Sequence, residues 1–242
     1  MKFFSITDRG IIRQQNQDVC FASAEPIGAL PNFFFVADGM GGEKAGQYAS
    51  KTASSLIRGM LEMSSGKEPI KALKEAIEYA NLTIYTEALE SEEKKGMGTT
   101  FVSAFLKDSH MIVSNVGDSR LYVSAVNGLQ QITKDHSFVD ELVRYGKVTE
   151  TEAKNHPKRH YITRAVGAEK KIEIDFFDVE LDSSDRIILC SDGLTNMVSD
   201  EEIQRVLRSD APIEEQAMYL VKMADDNGGN DNITVVIVEP EI

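Results

Sequence analysis

The order of its predicted strands and helices is the feature that most constrains how this chain can fold. Short apolar runs typical of β-strands are grouped together rather than alternating strictly with helices. They lie at 3–7, 19–24, 32–37, 99–106, 110–116, 120–126, 172–181, 185–191 and 233–238. Amphipathic helices are predicted at about 43–64, 67–90, 199–208 and 212–225. This grouping favours an α+β fold, with stacked antiparallel sheets covered by helices, over a doubly wound parallel sheet.

The length of 242 residues is compatible with one domain, and we expect a single domain over 1–242. No apolar run approaches the roughly 18 to 20 residues that span a bilayer, and charged residues follow the N-terminus too soon for a signal peptide. The two cysteines, Cys20 and Cys190, fit a reducing compartment better than a disulfide framework. We therefore expect a cytoplasmic protein without a membrane segment. The charged stretch at about 135–168 is predicted to form a flap over a surface, with a solvated helical hairpin as the alternative.

The charge balance limits the possible partners. The formal net charge is −13, which disfavours nucleic acid because a phosphate backbone requires a basic surface. A phosphate-binding site in such a chain needs local positive charge, and metal ions held by carboxylates are one way to supply it.

Four aspartates flank predicted strands in a similar way. Asp38, Asp118 and Asp192 follow apolar runs, and Asp231 immediately precedes one. Loops at one end of a sheet can bring these carboxylates together, where they would repel one another unless a hard divalent cation joined them. Each aspartate taken alone is more simply explained as a turn residue, so the argument depends on their combination.

Glycines surround the first of these aspartates in the segment Asp38-Gly39-Met40-Gly41-Gly42. They allow the backbone to approach a ligand closely or to present a carbonyl to an ion. The spacing matches neither a dinucleotide fingerprint nor a P-loop, which argues against both nucleotide-binding motifs.

A series of short segments occurs in a particular order along nearly the whole chain: Thr7-Asp8-x-Gly10-x-x-Arg13-x-x-Asn16-Gln17-Asp18, Val36 to Gly42, Gly98-Thr99-Thr100, Asn115-x-Gly117-Asp118-Ser119-Arg120, Asp135-His136-Ser137, Thr163-Arg164-Ala165-x-Gly167, Ser191-Asp192-Gly193-Leu194 and Asp231-Asn232-Ile233-Thr234. In these segments the chain resembles the metal-dependent protein phosphatases (PPM, or type 2C), especially their compact bacterial branch. The resemblance implies a four-layer αββα sandwich that hydrolyses phosphoserine and phosphothreonine.

The resemblance also implies a binuclear Mn²⁺ or Mg²⁺ site. Asp38 would bridge the two ions, and Asp192 and Asp231 would complete the coordination of one of them. The Gly39 carbonyl and waters would hold the other ion, with Asp18 orienting those waters.

Two further roles follow from the same resemblance. Asp118 would join Asp192 at a third, weaker metal site typical of bacterial relatives. Arg13 matches the phosphate-binding arginine of the family, since a guanidinium fork suits two phosphate oxygens.

The sequence departs from the pattern of better-known relatives at three positions. Met40 stands where some eukaryotic relatives have a histidine proposed as general acid, and a thioether cannot donate a proton. The proton for the leaving group must then come from metal-bound water or another side chain, and the general acid stays unassigned. Gln17 replaces a frequent glutamate and Glu43 replaces a frequent histidine.

Other residues of the family segments are predicted to be structural. We expect Gly98-Thr99-Thr100 and Thr163-Arg164 to serve packing and turns. His136, His156 and His160 are expected to be solvated or structural rather than metal ligands, because they lack partnered spacing.

Two alternative functions remain open from the sequence. One is a non-catalytic signalling module of the same fold that binds phosphoproteins, and the other is a metal-dependent phosphodiesterase or nucleotide hydrolase. For a phosphatase, we expect a monomer whose partners are a bacterial Ser/Thr kinase and the substrates of that kinase.

Overall fold

The computed structural model describes residues 1–154 and 156–241, with all of their side chains except those of Glu43, Glu150 and Lys154. Two residues lie outside the described residues: Asn155, within the predicted flap, and Ile242, the last residue of the predicted domain. The chain forms two antiparallel β-sheets stacked face to face, with helices on both outer faces. The predicted α+β sandwich is confirmed.

Each sheet is assembled from distant parts of the chain. The first sheet has the order β1 (Lys2–Asp8), β11 (Ile233–Glu239), β10 (Arg186–Cys190), β7 (Arg120–Ala125) and β8 (Gly128–Gln131). The second has the order β2 (Asp18–Ser23), β3 (Phe33–Met40), β5 (Phe101–Lys107), β6 (His110–Val116) and β9 (Asp175–Glu180), and the short β4 (Gly98–Thr99) pairs with β3.

Strand β3 shows how side-chain alternation builds the layers. Successive side chains point to opposite faces of a sheet, so an uninterrupted apolar run can fill two cores at once. Phe33 and Phe35 pack among the helices, whereas Phe34 and Val36 pack against the other sheet. All four side chains are fully buried, so this strand lies at the centre of the molecule.

The long helices cover the outer faces of the sheets. On the second sheet lie α1 (Glu43–Glu62) and α2 (Pro69–Glu90), and on the first lie α6 (Asp200–Leu207) and α7 (Ile213–Asp226). A capping box starts α6, because the side chains of Ser199 and Glu202 each accept a hydrogen bond from the other residue's backbone amide. None of the helices within the described residues has both the length and the apolar character of a membrane span.

The flap contains two short helices, α3 (Phe138–Arg144) and α4 (Glu150–Lys154). Its two ends are joined at the base by a bridge between Ser137 and Ile162 and by the Thr163 amide, which donates to the His136 carbonyl at 2.7 Å. The insertion is therefore anchored to the sandwich at its base.

Some elements differ from the sequence expectations. The strand predicted at 172–181 begins only at Asp175, and β8 and the single-turn helix α5 (Asp192–Thr195) were not predicted. The sequence of β8, GLQQ, lacks apolar alternation, and it becomes a strand because a tight turn pairs it with β7. Cys20 and Cys190 are free thiols in strands of different sheets.

The aromatic core around β3 generates a stability prediction. The Phe35 ring lies 5.7 Å from the ring of Phe21, 5.5 Å from Phe33 and 5.1 Å from Phe101, centroid to centroid. Because a Phe35→Ala substitution leaves a cavity among these rings, we expect the free energy of unfolding to fall by about 3–5 kcal/mol. Urea unfolding followed by circular dichroism measures this. The control Leu89→Ala, at a side chain 71% exposed, should change it by less than about 0.5 kcal/mol.

Candidate metal centre

One open cavity collects most of the predicted site residues at one end of the sandwich. Its volume is about 1010 Å³, and it is lined by Arg13, Asp38, Gly39, Asp118, Asp192 and Asp231, among others. Asp18 does not line the cavity and is only 6% exposed. The structure thus brings the seven predicted residues to one place, while their roles as ligands stay predictions.

Strand pairing explains why the aspartates converge. Asp18 lies directly opposite Asp38 in the β2–β3 ladder. Asp192 follows β10 and Asp231 precedes β11, and these two strands are antiparallel neighbours, so the end of one lies beside the start of the other. Asp118 follows β6 on the second sheet. The two sheets therefore contribute acids to the same cavity.

At Gly39 and Gly193 another backbone segment lies so close that no side chain could fit. A Cβ atom at Gly39 would lie 2.1 Å from the Gly46 carbonyl oxygen, and one at Gly193 would lie 2.0 Å from the Asn232 carbonyl oxygen. These contacts bring α1 against the strand that carries Asp38, and α5 against the segment that carries Asp231.

The backbone of Asp38 is held by the two neighbouring threonines. The Asp38 amide donates to Thr100 Oγ1 at 2.9 Å, and its carbonyl accepts from the Thr100 amide at 2.8 Å and from Thr99 Oγ1 at 2.9 Å. Thr100 Oγ1 also shares a hydrogen bond of 2.7 Å with Ser119 Oγ, next to Asp118. Both threonines are structural, as predicted, and their structural role is to position the site.

The carboxyl group of Asp18 accepts hydrogen bonds from two hydroxyl groups. Ser191 Oγ donates to its Oδ2 at 2.7 Å, and Thr234 Oγ1 donates to the same oxygen at 2.6 Å. Its Oδ1 is buried and has no hydrogen-bond partner among the described residues. Burial raises the pKa of Asp38, and the charges of Asp18 and Asp192 add to the shift because these carboxyl groups lie near it.

The carboxylates are electrostatically unfavourable without a cation. Burial raises the pKa of Asp18 to about 7, even though its hydroxyl donors oppose the shift. Burial, reinforced by the charges of neighbouring aspartates, also raises the pKa values of Asp38, Asp118 and Asp192. Three acids with raised pKa values at the wall of one cavity indicate a site for positive charge.

The donor set fits hard divalent cations that retain water. Asp18, Asp118 and Asp192 each have a buried carboxylate oxygen with no hydrogen-bond partner in the described part of the chain. Within residues 1–154 and 156–241, however, no three acidic, histidine or cysteine side chains form a ready-made ligand group for one ion. Ions that fit this arrangement take much of their coordination from water, as Mg²⁺ commonly does.

Arg13 belongs to the loop between β1 and β2, and residues of this loop line the cavity. Its Nη2 lies 2.7 Å from Asp231 Oδ2, and its Nε donates to the Asn230 carbonyl at 3.3 Å. The loop is anchored by Asn232, whose side chain donates to the carbonyls of Arg9 and Gln15 and accepts from the Gln17 amide. The positioning role of Asn232 was not predicted from the sequence.

The histidines of the flap region differ from one another. His136 is buried, accepts the Gly117 amide at Nδ1 at 3.0 Å, and pairs with Asp175, in agreement with a structural role. His160, which was expected to be solvated or structural rather than a metal ligand, lines the cavity together with Met40. Burial raises the pKa of Asp192, and His160 lies close enough for a positive charge on its ring to oppose that shift.

Comparison with known proteins identifies the family. The model for protein phosphatase 2C matches residues 12–233. The chain is 39% identical to the serine/threonine phosphatase Stp of Listeria monocytogenes, over 98% of this chain and 94% of that protein. The chain belongs to the protein phosphatase 2C family.

Solved structures of the family have the same fold. The structure of Stp1 from Staphylococcus aureus superimposes with a TM-score of 0.92 at 37% identity, covering 100% of this chain and 95% of that one. The catalytic domain of the phosphatase PstP, solved in complex with two manganese ions, matches with a TM-score of 0.84 at 33% identity, covering 98% and 96%. Metal dependence is therefore a property of the family to which this chain belongs.

The raised pKa of Asp18 predicts how the metal-free phosphatase responds to pH. An aspartate has a pKa of about 3.9 when unfolded, so the folded protein binds the extra proton between about pH 4 and 7 and loses stability as the pH rises through that range. In EDTA at pH 8, Asp18→Asn should therefore be more stable than wild type, by up to about 4 kcal/mol. The difference should vanish near pH 4.

Thermal unfolding at several pH values tests this expectation. Asp210→Asn, which removes an exposed carboxylate, should leave the pH dependence unchanged. Equal stability of wild type and Asp18→Asn at pH 8 would show that Asp18 is not strained in the metal-free protein.

Proposed function

We propose that this protein hydrolyses phosphoserine and phosphothreonine in proteins, with Asp38, Asp192, Asp231 and the Gly39 carbonyl holding two Mn²⁺ or Mg²⁺ ions. The observation that carries the proposal is the convergence of four aspartates on one open cavity beside an arginine. When bound, two such ions would activate water and offset the negative charge around phosphorus.

Arg13 is the proposed phosphate-binding residue. Its guanidinium is about half exposed and is held at the cavity by a carboxylate on one side. The N–H groups not used by Asp231 and Asn230 are free to donate to phosphate oxygens in the bidentate geometry that arginine favours. The pairing with Asp231 thus orients Arg13 before substrate arrives.

Asp18 is proposed to act through water. The hydroxyls of Ser191 and Thr234 occupy its Oδ2, so the carboxyl group cannot rotate freely. Its unpartnered Oδ1 is the oxygen left to accept a hydrogen bond from water that surrounds an ion.

The departing serine or threonine oxygen needs a proton. Met40 lines the cavity but has no proton to donate. His160 is the one imidazole among the described residues that line this cavity, and it lies on the flap side. We assign it as the candidate general acid that the sequence left unassigned.

A third, weaker metal site is proposed at Asp118 and Asp192. Each has a buried oxygen without a hydrogen-bond partner among the described residues, and the charge of Asp192 raises the pKa of Asp118. Both features support a further cation between the two carboxyl groups.

The oligomeric state, the cellular location and the partners of the enzyme are part of the proposal. We also propose that the enzyme is a monomer, and the net charge of −13 argues against nucleic acid as a partner. The two free cysteines support a cytoplasmic location. We propose that a bacterial Ser/Thr kinase and its substrates are the phosphoproteins on which the enzyme acts.

Substitution of the proposed ligands tests the function. Release of phosphate from a phosphothreonine peptide should require Mn²⁺ and should fall at least about a hundredfold in Asp38→Ala and Asp192→Ala, because each loses charge stabilisation at the reacting group. Asp210→Ala removes an exposed acid and should retain wild-type turnover. If the folded, metal-loaded wild type releases no phosphate from any phosphopeptide, the non-catalytic signalling module becomes the better interpretation.

Metal counting tests the third site. Equilibrium dialysis with excess Mn²⁺ should find three ions on the wild type and two on Asp118→Asn, since the amide lacks the charge that retains the weaker ion. The same stoichiometry in both proteins would contradict a metal-binding role for Asp118.

A further inference from the structure

Helix α1 has an unusual charge pattern for this acidic chain. Between Lys44 and Leu61 it carries three cationic side chains and no acidic one, although the whole chain has 39 acidic and 26 basic residues. The cations are Lys44, Lys51 and Arg58, each seven residues after the last, so they lie on one face of the helix. Tyr48 and Ser55 fall between them on that face.

We call these five residues, Lys44, Tyr48, Lys51, Ser55 and Arg58, the basic stripe. The first four line an open groove of about 400 Å³. The buried side of the same helix is formed by small and apolar residues that pack on α2 and the second sheet: Ala45, Ala49, Ala53, Ile57 and Leu61. The stripe is therefore the solvent face of α1.

The cations of the stripe lack acidic partners. Two lysines on other helices pair with an acid of their own helix, Lys74 with Glu78 and Lys222 with Asp226. In contrast, no carboxylate of the described residues lies within ion-pair distance of the three stripe cations. Positive charge that no described carboxylate pairs with is available to an anionic partner.

Both edges of the stripe are defined by ring contacts. Lys94 Nζ lies 3.8 Å from the centre of the Tyr48 ring and is paired with Glu87 at 2.9 Å, so that edge is neutralised. At the far end, the Arg58 guanidinium lies 4.2 Å from the centre of the Phe21 ring, and its buried Nε has no hydrogen-bond partner within the described part of the chain. The stacked guanidinium still presents its outer N–H groups to a ligand.

The stripe begins at the edge of the catalytic cavity. Gly41 and Gly42 line that cavity, and Gly42 is the residue from which α1 starts. Lys44 follows two residues later. From Lys44 to Arg58 the helix rises about 21 Å, the length of about six or seven residues of extended peptide.

We propose that the basic stripe binds an acidic segment of the phosphoprotein substrate, beginning a few residues from the phosphorylated side chain. This inference rests on the proposed function, because it is the cavity that orients the substrate along α1. Charge complementarity identifies the occupant: unpaired cations on the surface of an acidic protein select an acidic peptide over a neutral one. The segment lies against α1 while Arg13 holds the phosphate.

The consequence is substrate selectivity. Acidic residues on the side of the phosphothreonine that faces α1 should raise kcat/KM about three- to tenfold at low ionic strength, the size of two exposed charge contacts. The gain should shrink in high salt because exposed charges are screened. Acidic residues on the other side should produce no such gain.

The test compares peptides that carry glutamate or glutamine on either side of one phosphothreonine. Lys44→Gln/Lys51→Gln should lose the preference for glutamate and keep wild-type kcat/KM on the glutamine peptide. The matched control Lys2→Gln/Lys107→Gln removes the same charge from exposed strand ends remote from the cavity and should keep the preference. A preference retained in Lys44→Gln/Lys51→Gln, or absent from wild type, would overturn the proposal.

Binding measured by fluorescence anisotropy on the same peptides separates this inference from the proposed function. If no peptide is hydrolysed but the glutamate peptide still binds more tightly through the two lysines, the proposed function fails and the basic stripe is supported. If all peptides are hydrolysed equally and bind equally, the function stands and the basic stripe is rejected.

Discussion

The mutual repulsion of aspartates held at one end of the sandwich is the interaction on which the rest of the structure depends. Asp38, Asp118 and Asp192 have raised pKa values because the fold removes them from water and places them near one another. Such an arrangement is stable only when the surrounding structure is rigid or when cations are present. The stacked sheets supply the rigidity, and the family membership of the chain indicates the cations.

The strand order of the two sheets explains how the aspartates are gathered at the cavity. Each sheet is built from distant segments, so the cavity is lined by Asp38 from the first part of the chain and by Asp192 and Asp231 from the last. Asp18 lies opposite Asp38 in the β2–β3 ladder and does not itself line the cavity. Glycines permit the close approach of α1 and α5 to these acids, and Asn232 ties down the loop that carries Arg13. A polar anchor that is fully hydrogen-bonded restrains a loop far better than a single surface contact.

Much of the fold was predictable because its signals are local. The apolar run of β3, the three- and four-residue spacing in α1 and α2, and the capping box at Ser199 each appear within a short window. Six of the seven predicted site residues line one cavity, and the seventh, Asp18, lies opposite Asp38 in the β2–β3 ladder. Contacts between residues distant in sequence were not predictable. Ser191 and Thr234 both donate hydrogen bonds to Asp18. His160 lines the cavity because the folded flap places it there. The strand β8 depends on its partner rather than on its own sequence.

The central claim is that divalent cations replace protons at the aspartate cluster. Calorimetric titration of Mn²⁺ into the metal-free protein at pH 6, repeated in buffers of different ionisation enthalpy, counts the protons released on binding. Because burial raises the pKa of Asp18 to about 7 and raises those of its neighbours, we expect net proton release, seen as a binding enthalpy that changes with the buffer. A binding enthalpy that is the same in every buffer would contradict the account.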